Sequence, residues 1–360
     1  MGGHQVVARR GFCLNSESAM NPSGPLSGVR VLDLTQLLPG PLATRHLMEW
    51  GAQVLKIEPP GAGDGTRAMY LSEEDKTLQR PSEFFRELNE GKQELRLDLR
   101  SDQGREALLD LVRESDVLIE GFRPGVMDRL GLGWPVLHAT NPRLVMCAIT
   151  GYGQTGPYAL KAGHDINYIA LAGVLDQIGL PDGQGPAVPN FQIADLLGGT
   201  LAAVSGLLAA LVGAQRSGQG RFVDVSMTHE VWRHAVIAQA ESRALGFVPA
   251  RGSSLLNGGA ACYGVYRCAD GRHLAVGALE PKFWQAFCEA LERPEWINRH
   301  WSRGEAPGSE AACQTRQWVA DLLASKPMAE WVTIVDPADC CVTPVLRLSE
   351  VPDHPWIHRA

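Results

Sequence analysis

Residues 29–58 read VRVLDLTQLLPGPLATRHLMEWGAQVLKIE, and this stretch decides the fold class. Its two ends, 29–34 and 53–58, are short apolar runs of the kind that form buried strands. The segment between them predicts a helix that begins after the Pro39-Gly40-Pro41 turn and ends near Trp50. A strand, a helix and a second strand in this order favour parallel pairing of the two strands.

The same pattern recurs further along the chain. Ser101 is suited to cap a helix over 103–114, and Asp102 beside it suits the positive end of the helix dipole. We therefore predict an open α/β sheet. Its further strands are expected at 95–99, 117–120, 144–150 and 221–227.

A second, smaller module follows. The turn Ala269-Asp270-Gly271 stands between two apolar runs, 261–268 and 273–278, which predicts a hairpin. At roughly 100–200 residues per domain, a chain of 360 residues has room for two domains. We expect a flexible extension over 1–20, a large domain over 21–224, a linker helix over 225–254, a small α+β domain over 255–350 and a C-terminal linker over 351–360.

The composition excludes several classes of function. The net charge of −7 and the pI of about 5.8 argue against a nucleic-acid-binding surface, but they leave room for a basic pocket that binds an anion. The turn TQLLPGP at 35–41 has neither the G-x-G-x-x-G pattern nor a P-loop, so neither NAD nor a P-loop nucleotide is expected. Eight cysteines without C-x-x-C spacing indicate reduced thiols, neither a disulfide framework nor a zinc site.

The sequence favours a cytoplasmic location. Its longest apolar stretch, 201–212, is too short to span a bilayer, and no secretory signal opens the chain. Arg9 and Arg10, with no acid before Glu17, are compatible with a weak organelle signal, so a mitochondrial or peroxisomal location is the alternative. The preferred explanation of this unusual first segment is a mistaken start, with Met20 as the alternative first residue, or a flexible tail.

Three polar residues stand at element ends in glycine-rich or apolar surroundings: His164, Asp195 and Glu280. Each also has a simpler structural explanation. His164 would be a loop residue beside an Asp165 cap. Asp195 would complement a helix dipole, and Glu280 would cap the helix that begins at Pro281. Together the three would form a two-base site, in which one group removes a proton and another delivers one to the opposite face.

The same residues give a possible oxyanion site. If a helix begins at Asp165, its free backbone N–H groups point at whatever lies in front of His164. Because the three candidate residues lie far apart in the sequence, their spacing alone does not show that they meet.

Longer motifs surround these residues and carry a family resemblance. They are LSGVRVLDLTQLLPGP from Leu26, LDLR at 97–100, DVLIEGFRPGVMDRLGLG from Asp116, GYGQTGP from Gly151, AGHDINYIALAGVL from Ala162, IADLLGGTLAA from Ile193 and AVGALEPKFW from Ala275. With them the chain resembles the class III CoA-transferase superfamily, the carnitine dehydratase and bile-acid-inducible group. His164 and Glu280 are similar to its 2-methylacyl-CoA racemases, since family transferases usually have Tyr and an Asn-Asp type segment there.

The resemblance implies an isomerase of lipid metabolism that needs no metal or redox cofactor and acts on an acyl-CoA thioester. His164, oriented by Glu280, would serve one face of the α-carbon, and Asp195 would serve the other. The backbone at Asp165 would hold the enolate oxygen. A CoA-transferase that carries its acyl group on Asp195 is one alternative. An inactive member is another, because family members continue beyond the last residues of this chain.

An architecture is implied as well: a Rossmann-like large domain that binds CoA, a small α+β domain, and two subunits interlocked as a homodimer. Pro59 stands where many racemases have a phosphate-binding Arg, so Lys56 or Arg67 is expected to replace it. By position in the motifs, CoA contacts are expected from Leu97, Asp98, Leu99, Arg100, Gly163, His164, Asp165, Ile166, Asn167 and Tyr168.

Overall fold

A computed structural model describes residues 23–181 and 185–357. The extension expected over 1–20 and Cys13 lie outside the described residues. The chain divides into two compact units. The large unit contains the described residues of 1–175 and 188–236, and the small unit contains those of 176–187 and 237–360. Residues 176–187, which the sequence analysis placed in the large domain, thus group with the small unit.

The large unit is built on six parallel strands in the order β3-β2-β1-β4-β5-β6. Chain order reverses between β1 and β4, which pair through Val31 and Val117. This order is that of a doubly wound, Rossmann-like sheet, as expected. The strands are β1 (Arg30–Asp33), β2 (Gln53–Glu58), β3 (Gln93–Arg96), β4 (Val117–Glu120), β5 (Val145–Thr150) and β6 (Phe222–Ser226).

Helices cover both faces of this sheet. Alternate strand residues point to opposite faces, so Val31 belongs to one core cluster and Leu32 to the other. Both faces are therefore apolar, as parallel sheets require. The α-helices of the large unit are α1 (Pro39–Glu49), α2 (Glu73–Thr77), α3 (Glu83–Asn89), α4 (Asp102–Arg113), α5 (Val126–Arg129), α6 (Trp134–Thr140), α7 (Asp165–Leu171), α8 (Ala202–Ser217) and α9 (Met227–His234). The next helix, α10 (Val236–Leu245), belongs to the small unit from Ile237 onward.

The strand expected at 95–99 lies earlier, at 93–96. Ser101 caps α4 by accepting a hydrogen bond from the Gly104 amide, at 3.0 Å. The chain therefore turns before Ser101, and the Ser101 amide donates to the Asp98 carbonyl in that turn. Residues 97–100 are the connection from β3 to α4, and this is what places them at a sheet edge.

A π-helical segment, Ala194–Leu201, runs directly into α8. Among the described residues, one helix is long and apolar enough to cross a membrane, judged by length and composition alone. It is the combined helix Ala194–Ser217. The apolar segment is therefore longer than the stretch 201–212 that the sequence analysis considered. In this structure Ala203, Leu207 and Leu211 pack into the core of the large unit. The cytoplasmic location stays a prediction.

The single linker helix expected over 225–254 is wrong. Residues 227–245 form two helices, α9 and α10, which are separated at Ala235. At the break the Ala235 amide donates to the Trp232 carbonyl, three residues back instead of four. A regular α-helix would instead have the Ala235 amide donate to the Val231 carbonyl. The His234 imidazole lies 2.7 Å from the Glu230 carbonyl at the end of α9.

The small unit is an α+β module, as expected. Its sheet is antiparallel, in the order β7-β8-β9, with strands Tyr263–Arg267, His273–Gly277 and Val342–Pro344. Buried side chains such as Trp284, Phe287 and Val319 form its core. Its α-helices are α11 (Pro281–Ala290), α12 (Glu310–Leu323) and α13 (Met328–Val335). All seven cysteines in the described part of the chain are free of disulfides.

Candidate active site

A pocket of about 530 Å³ opens at the carboxyl ends of the central strands of the large unit. Its walls are the loop 35–40 after β1, the loop 121–124 after β4 and the residues 149–152 at the end of β5. The chain order of the strands reverses between β1 and β4, and in doubly wound sheets ligands bind at that reversal. His164 and Asp195 both line this pocket. The structure therefore brings two of the three predicted catalytic residues together.

A smaller pocket of about 240 Å³ adjoins the first. It includes Leu97, Asp98, Leu99 and Arg100, the residues expected to contact CoA. Gln36 and Phe122 line both pockets. The two pockets thus share a wall.

His164 is the residue immediately before the first turn of α7. Its backbone amide donates to Oδ1 of Asn167 at 3.0 Å, which fixes the entry into the helix. The imidazole itself is exposed in the pocket. The expected helix start at Asp165 is correct, and the first backbone N–H groups of α7 stand beside the histidine.

The loop before His164 is held by Tyr168. The Tyr168 hydroxyl donates to the Gly163 carbonyl, and burial raises the pKa of this phenol to about 12. A Cβ atom at Gly151 would lie 2.2 Å from the Tyr168 ring, and one at Gly163 would lie 2.7 Å from it. Only glycine leaves room for the ring at these two positions, and this explains the glycines on either side of the pocket.

Asp195 is the second residue of the π-helical segment, and another carboxylate caps that segment. Oδ1 of Asp165 accepts hydrogen bonds from the Ala194 amide, at 2.6 Å, and from the Asp195 amide, at 3.0 Å. The side chain of Asp165 therefore caps this helix from a distant part of the sequence. The simpler explanation, in which Asp165 caps the loop at His164, does not describe this contact.

The electrostatics of Asp195 differ from those of a dipole-stabilised acid. Burial, with a smaller contribution from the charge of Asp165, raises the pKa of Asp195 from 3.8 to about 6. A helix dipole acting alone would lower it. A carboxyl group with a pKa close to neutral can both accept and donate a proton near pH 6, which is what a general acid–base group requires.

Glu280 belongs to the small unit, where it precedes α11 and Pro281 takes the first helical position. Its backbone carbonyl accepts from the Phe283 and Trp284 amides, but its side chain makes no capping hydrogen bond. The carboxylate is thus not used as a cap. Its predicted role toward His164 stays a prediction.

The expectation that Lys56 or Arg67 replaces a phosphate-binding Arg is not supported by their contacts. The Lys56 side chain is fully buried and bonded to Asp64 at 3.0 Å. Arg67 forms a bidentate salt bridge with Glu58, and its guanidinium group lies 3.8 Å from the centre of the Phe85 ring. Both cations are already neutralised by carboxylates.

Lys56 belongs to a buried ionic cluster, formed by Asp33, Lys56, Asp64 and Lys92, beneath the loop 35–40. The Lys92 ammonium bonds Asp33 at 3.1 Å and the Pro41 carbonyl at 2.8 Å, and the Lys56 ammonium bonds the Thr35 carbonyl at 3.0 Å. Asp64 also accepts the Leu37 amide at 3.2 Å, in a loop where Leu37 has a positive φ of 65°. The cluster therefore shapes the wall of the larger pocket.

The sequence analysis missed this cluster and several pocket residues. It used the turn TQLLPGP to argue against NAD and P-loop nucleotides and as part of a family motif, but it did not predict that this turn forms a pocket wall. The available signal was position, since these residues directly follow β1 and β4, where doubly wound sheets bind ligands. In the described part of the chain, no group of three or more His, Cys, Asp or Glu side chains is arranged to hold a metal ion.

The fold and the site together define a doubly wound α/β protein with a histidine and an aspartate in one pocket at the reversal of its sheet. The model of CoA-transferase family III matches residues 26–360. The chain therefore belongs to CoA-transferase family III.

Relatives of known activity fall into two groups. The chain is 37% identical to human alpha-methylacyl-CoA racemase over 91% of its own length and 80% of that protein. It is 33% identical to acetyl-CoA:oxalate CoA-transferase of Acetobacter aceti over 93% of its length and 84% of that protein. The fold is similar to that of a CaiB/BaiF family protein from Brucella suis, with a TM-score of 0.78, 27% identity and coverage of 92% and 87% of the two chains. Both named relatives are enzymes that act on CoA thioesters.

Proposed function

We propose that this protein is a 2-methylacyl-CoA racemase, which interconverts the two enantiomers by moving the α-proton between two bases. The observation that carries the proposal is that His164 and Asp195 line one pocket at the sheet reversal. An imidazole in place of the transferase Tyr supplies a second base, which acyl transfer through an aspartate does not need. The raised pKa of Asp195, about 6, suits a group that must both take and return a proton.

The proposed reaction follows from the chemistry of these groups. The thioester carbonyl makes the adjacent α-hydrogen acidic, and removal of that hydrogen gives a planar enolate. One base takes the proton from one face, and the conjugate acid of the other base returns a proton to the opposite face. Negative charge then develops on the thioester oxygen. Backbone N–H groups in the first turn of α7, beginning at Asp165, are the donors that we assign to it. Glu280 is assigned to support the charged imidazole of His164.

The two adjoining pockets suit a CoA thioester. We place the nucleotide part beside Leu97 and Arg100, and the reacting thioester beside His164. Gln36 and Phe122, which line both pockets, would contact the chain that connects these parts. Arg123 and Lys161 line the larger pocket and give it positive charge, which favours an anionic ligand in an otherwise acidic protein.

The test is α-proton exchange, measured separately for each enantiomer in D₂O. His164→Ala and Asp195→Asn are each expected to lower the rate of racemisation by on the order of 10²–10⁴-fold, which is close to complete loss. Each variant keeps slow exchange from the one enantiomer whose base remains. Glu280→Gln is expected to be milder because it changes only the support of His164. The proposed chemistry needs no metal or redox cofactor, so wild-type exchange should persist in EDTA.

The transferase alternative predicts a different pattern. A CoA-transferase would lose activity in Asp195→Asn but tolerate His164→Ala, and hydroxylamine would trap an acyl group on Asp195. Near-normal exchange of both enantiomers by His164→Ala would refute the two-base assignment. An inactive family member would bind CoA without any exchange.

We also propose that the protein is a homodimer. Helix α10 has no buried residue, and it presents Val236, Ile237 and Leu245 to solvent, each at least half exposed. An apolar helix face of this kind is typical of a protein interface. Light scattering should give twice the chain mass of 39.0 kDa, and a fully active monomer would contradict the proposal.

A further inference from the structure

One carboxylate oxygen joins the two halves of the candidate active site. Oδ1 of Asp165, on α7, accepts the backbone amides of both Ala194 and Asp195, at 2.6 and 3.0 Å. Amides in the first turn of a helix have no partner within the helix. The side chain next to His164 therefore fixes the backbone that carries Asp195.

The same carboxylate also sets the charge around Asp195. Its negative charge adds to burial in disfavouring the ionised form of Asp195. A serine or asparagine at position 165 would cap the segment equally well in hydrogen-bond terms, without the charge. The choice of an acid therefore has an electrostatic consequence that the cap alone does not require.

The other groups around Asp195 are of mixed charge. Asp224, on strand β6, accepts a hydrogen bond from the Gln154 amide and does not line the pocket that contains Asp195. Met227 of α9 and Pro39 of α1, which are uncharged, lie against Gly198 and Gly199 of the π-helical segment. The titratable and charged residues of α9 are His229, Glu230, Arg233 and His234, and none of these four lines the pocket. The titratable and charged groups that share the pocket with Asp195 are His164, Tyr152, Tyr168, Arg123 and Lys161.

We propose that the Asp165 side chain is a positioning residue for Asp195: it holds the start of the π-helical segment by two hydrogen bonds and keeps a negative charge beside the reacting carboxylate. The proposal rests on the function proposed above for its consequence in catalysis, but its structural content concerns Asp165 and Asp195 alone. A base in a reversible proton transfer works best when its pKa is close to that of its partner acid. An ordinary imidazole has a pKa of about 6.5, far above an ordinary aspartate.

The test compares Asp165→Asn, which keeps the cap oxygen and removes the charge, with Asp165→Glu, which keeps the charge. Infrared difference spectroscopy follows the carbonyl band of the protonated Asp195 carboxyl on both sides of pH 6, and loss of the band in Asp195→Asn assigns it. The midpoint in Asp165→Asn is expected about one pH unit below that of the wild type. In Asp165→Glu it should stay above that of Asp165→Asn. Asp110→Asn is the matched control, because it removes an exposed charge of α4 that does not line the pocket.

An Asp195 midpoint in Asp165→Asn equal to that of the wild type overturns the proposal, as does an equal shift in Asp110→Asn. Because this titration needs no turnover, it decides the role of Asp165 even if the wild type exchanges no α-proton. If the wild type does exchange, the acidic limb of the kcat profile of Asp165→Asn should move down by the same amount, with KM for the thioester little changed. A purely structural cap would leave that limb where it is.

Discussion

Asp33 and Asp195 are both buried acids of the large unit, and their surroundings drive them in opposite directions. Burial alone would raise the pKa of Asp33, but the charges of Lys92 and Lys56 and hydrogen bonds from Thr35 and Thr44 outweigh it and hold this pKa well below its usual range. Asp195 has no such cations beside it. Burial and the neighbouring Asp165 raise its pKa to about 6.

The difference separates a carboxylate that stabilises the structure from the carboxylate that we propose as a catalytic base. Asp33 keeps its charge under all ordinary conditions and uses it to hold the loop 35–40 through Lys92. Asp195 exchanges its proton easily because its charge is poorly compensated. Burial therefore does not by itself mark a functional acid; the sign of the neighbouring charges decides the outcome.

The largest effect on stability is expected from removing the negative charge of Asp33. Asp33→Asn leaves the fully buried Lys92 ammonium without its counter-charge. Removing one partner of a buried ion pair costs roughly 3–5 kcal/mol. Urea denaturation measures the loss. Asp110→Asn, which removes an exposed partner of Arg113, should cost less than about 1 kcal/mol. Similar losses in the two variants would mean that the buried cluster contributes no more than a surface pair.

A smaller effect of opposite sign is expected at Asp195. Its pKa is higher in the folded state, about 6, than the reference value of 3.8, so the folded protein holds this proton more tightly. Stability therefore falls as pH rises between these two values, and the full cost is present above pH 6. Asp195→Asn removes that cost, and after discounting for partial exposure it should stabilise the protein by about 1–2 kcal/mol at pH 7.5. The gain should disappear near pH 4, and a destabilised variant at pH 7.5 would contradict the comparison.

The smallest effect is expected from trimming one hydrogen bond of the structural acid. Thr44 donates to Asp33 at 2.6 Å in the buried region. Thr44→Val keeps the shape and removes this bond, which should cost about 1 kcal/mol. Exchange activity should be unchanged, since Thr44 does not line the pocket. Thermal unfolding and α-proton exchange, measured on the same sample, test both parts. A loss of activity without a loss of stability would mean that the surroundings of Asp33 contribute directly to the proposed reaction.

The fold was predictable because its determinants are local. Each parallel strand is a short apolar run with turn residues at its ends, and β2 and β4 lie at the residues expected from the sequence. Errors arose where a local competition decided the boundary. The Ser101 cap shortened the strand expected at 95–99, and hydrogen bonds near Ala235 divided one expected helix into two.

The site was only partly predictable. The types of His164 and Asp195 and their element ends are visible in the sequence, and the structure places both in one pocket. The contact between Asp165 and the amides of residues 194 and 195 joins positions about thirty residues apart, and no local pattern encodes it. The pairing of Lys92 with Asp33 spans still more of the chain, and no local pattern encodes it either.

The π-helical form of residues 194–201 constrains how this chain can change in evolution. A π-helical segment holds more residues per turn than an α-helix, and loss of one residue from it would restore regular α-helical hydrogen bonds without disturbing α8. An α-helix rotates by about 100° per residue, so the same deletion would turn Asp195 to another side of the helix and away from the oxygen of Asp165. Substitutions within the segment do not change the side of the helix on which Asp195 lies. The position of Asp195 therefore depends more strictly on the length of this segment than on its sequence, and a one-residue deletion within it should give a more regular helix and displace Asp195.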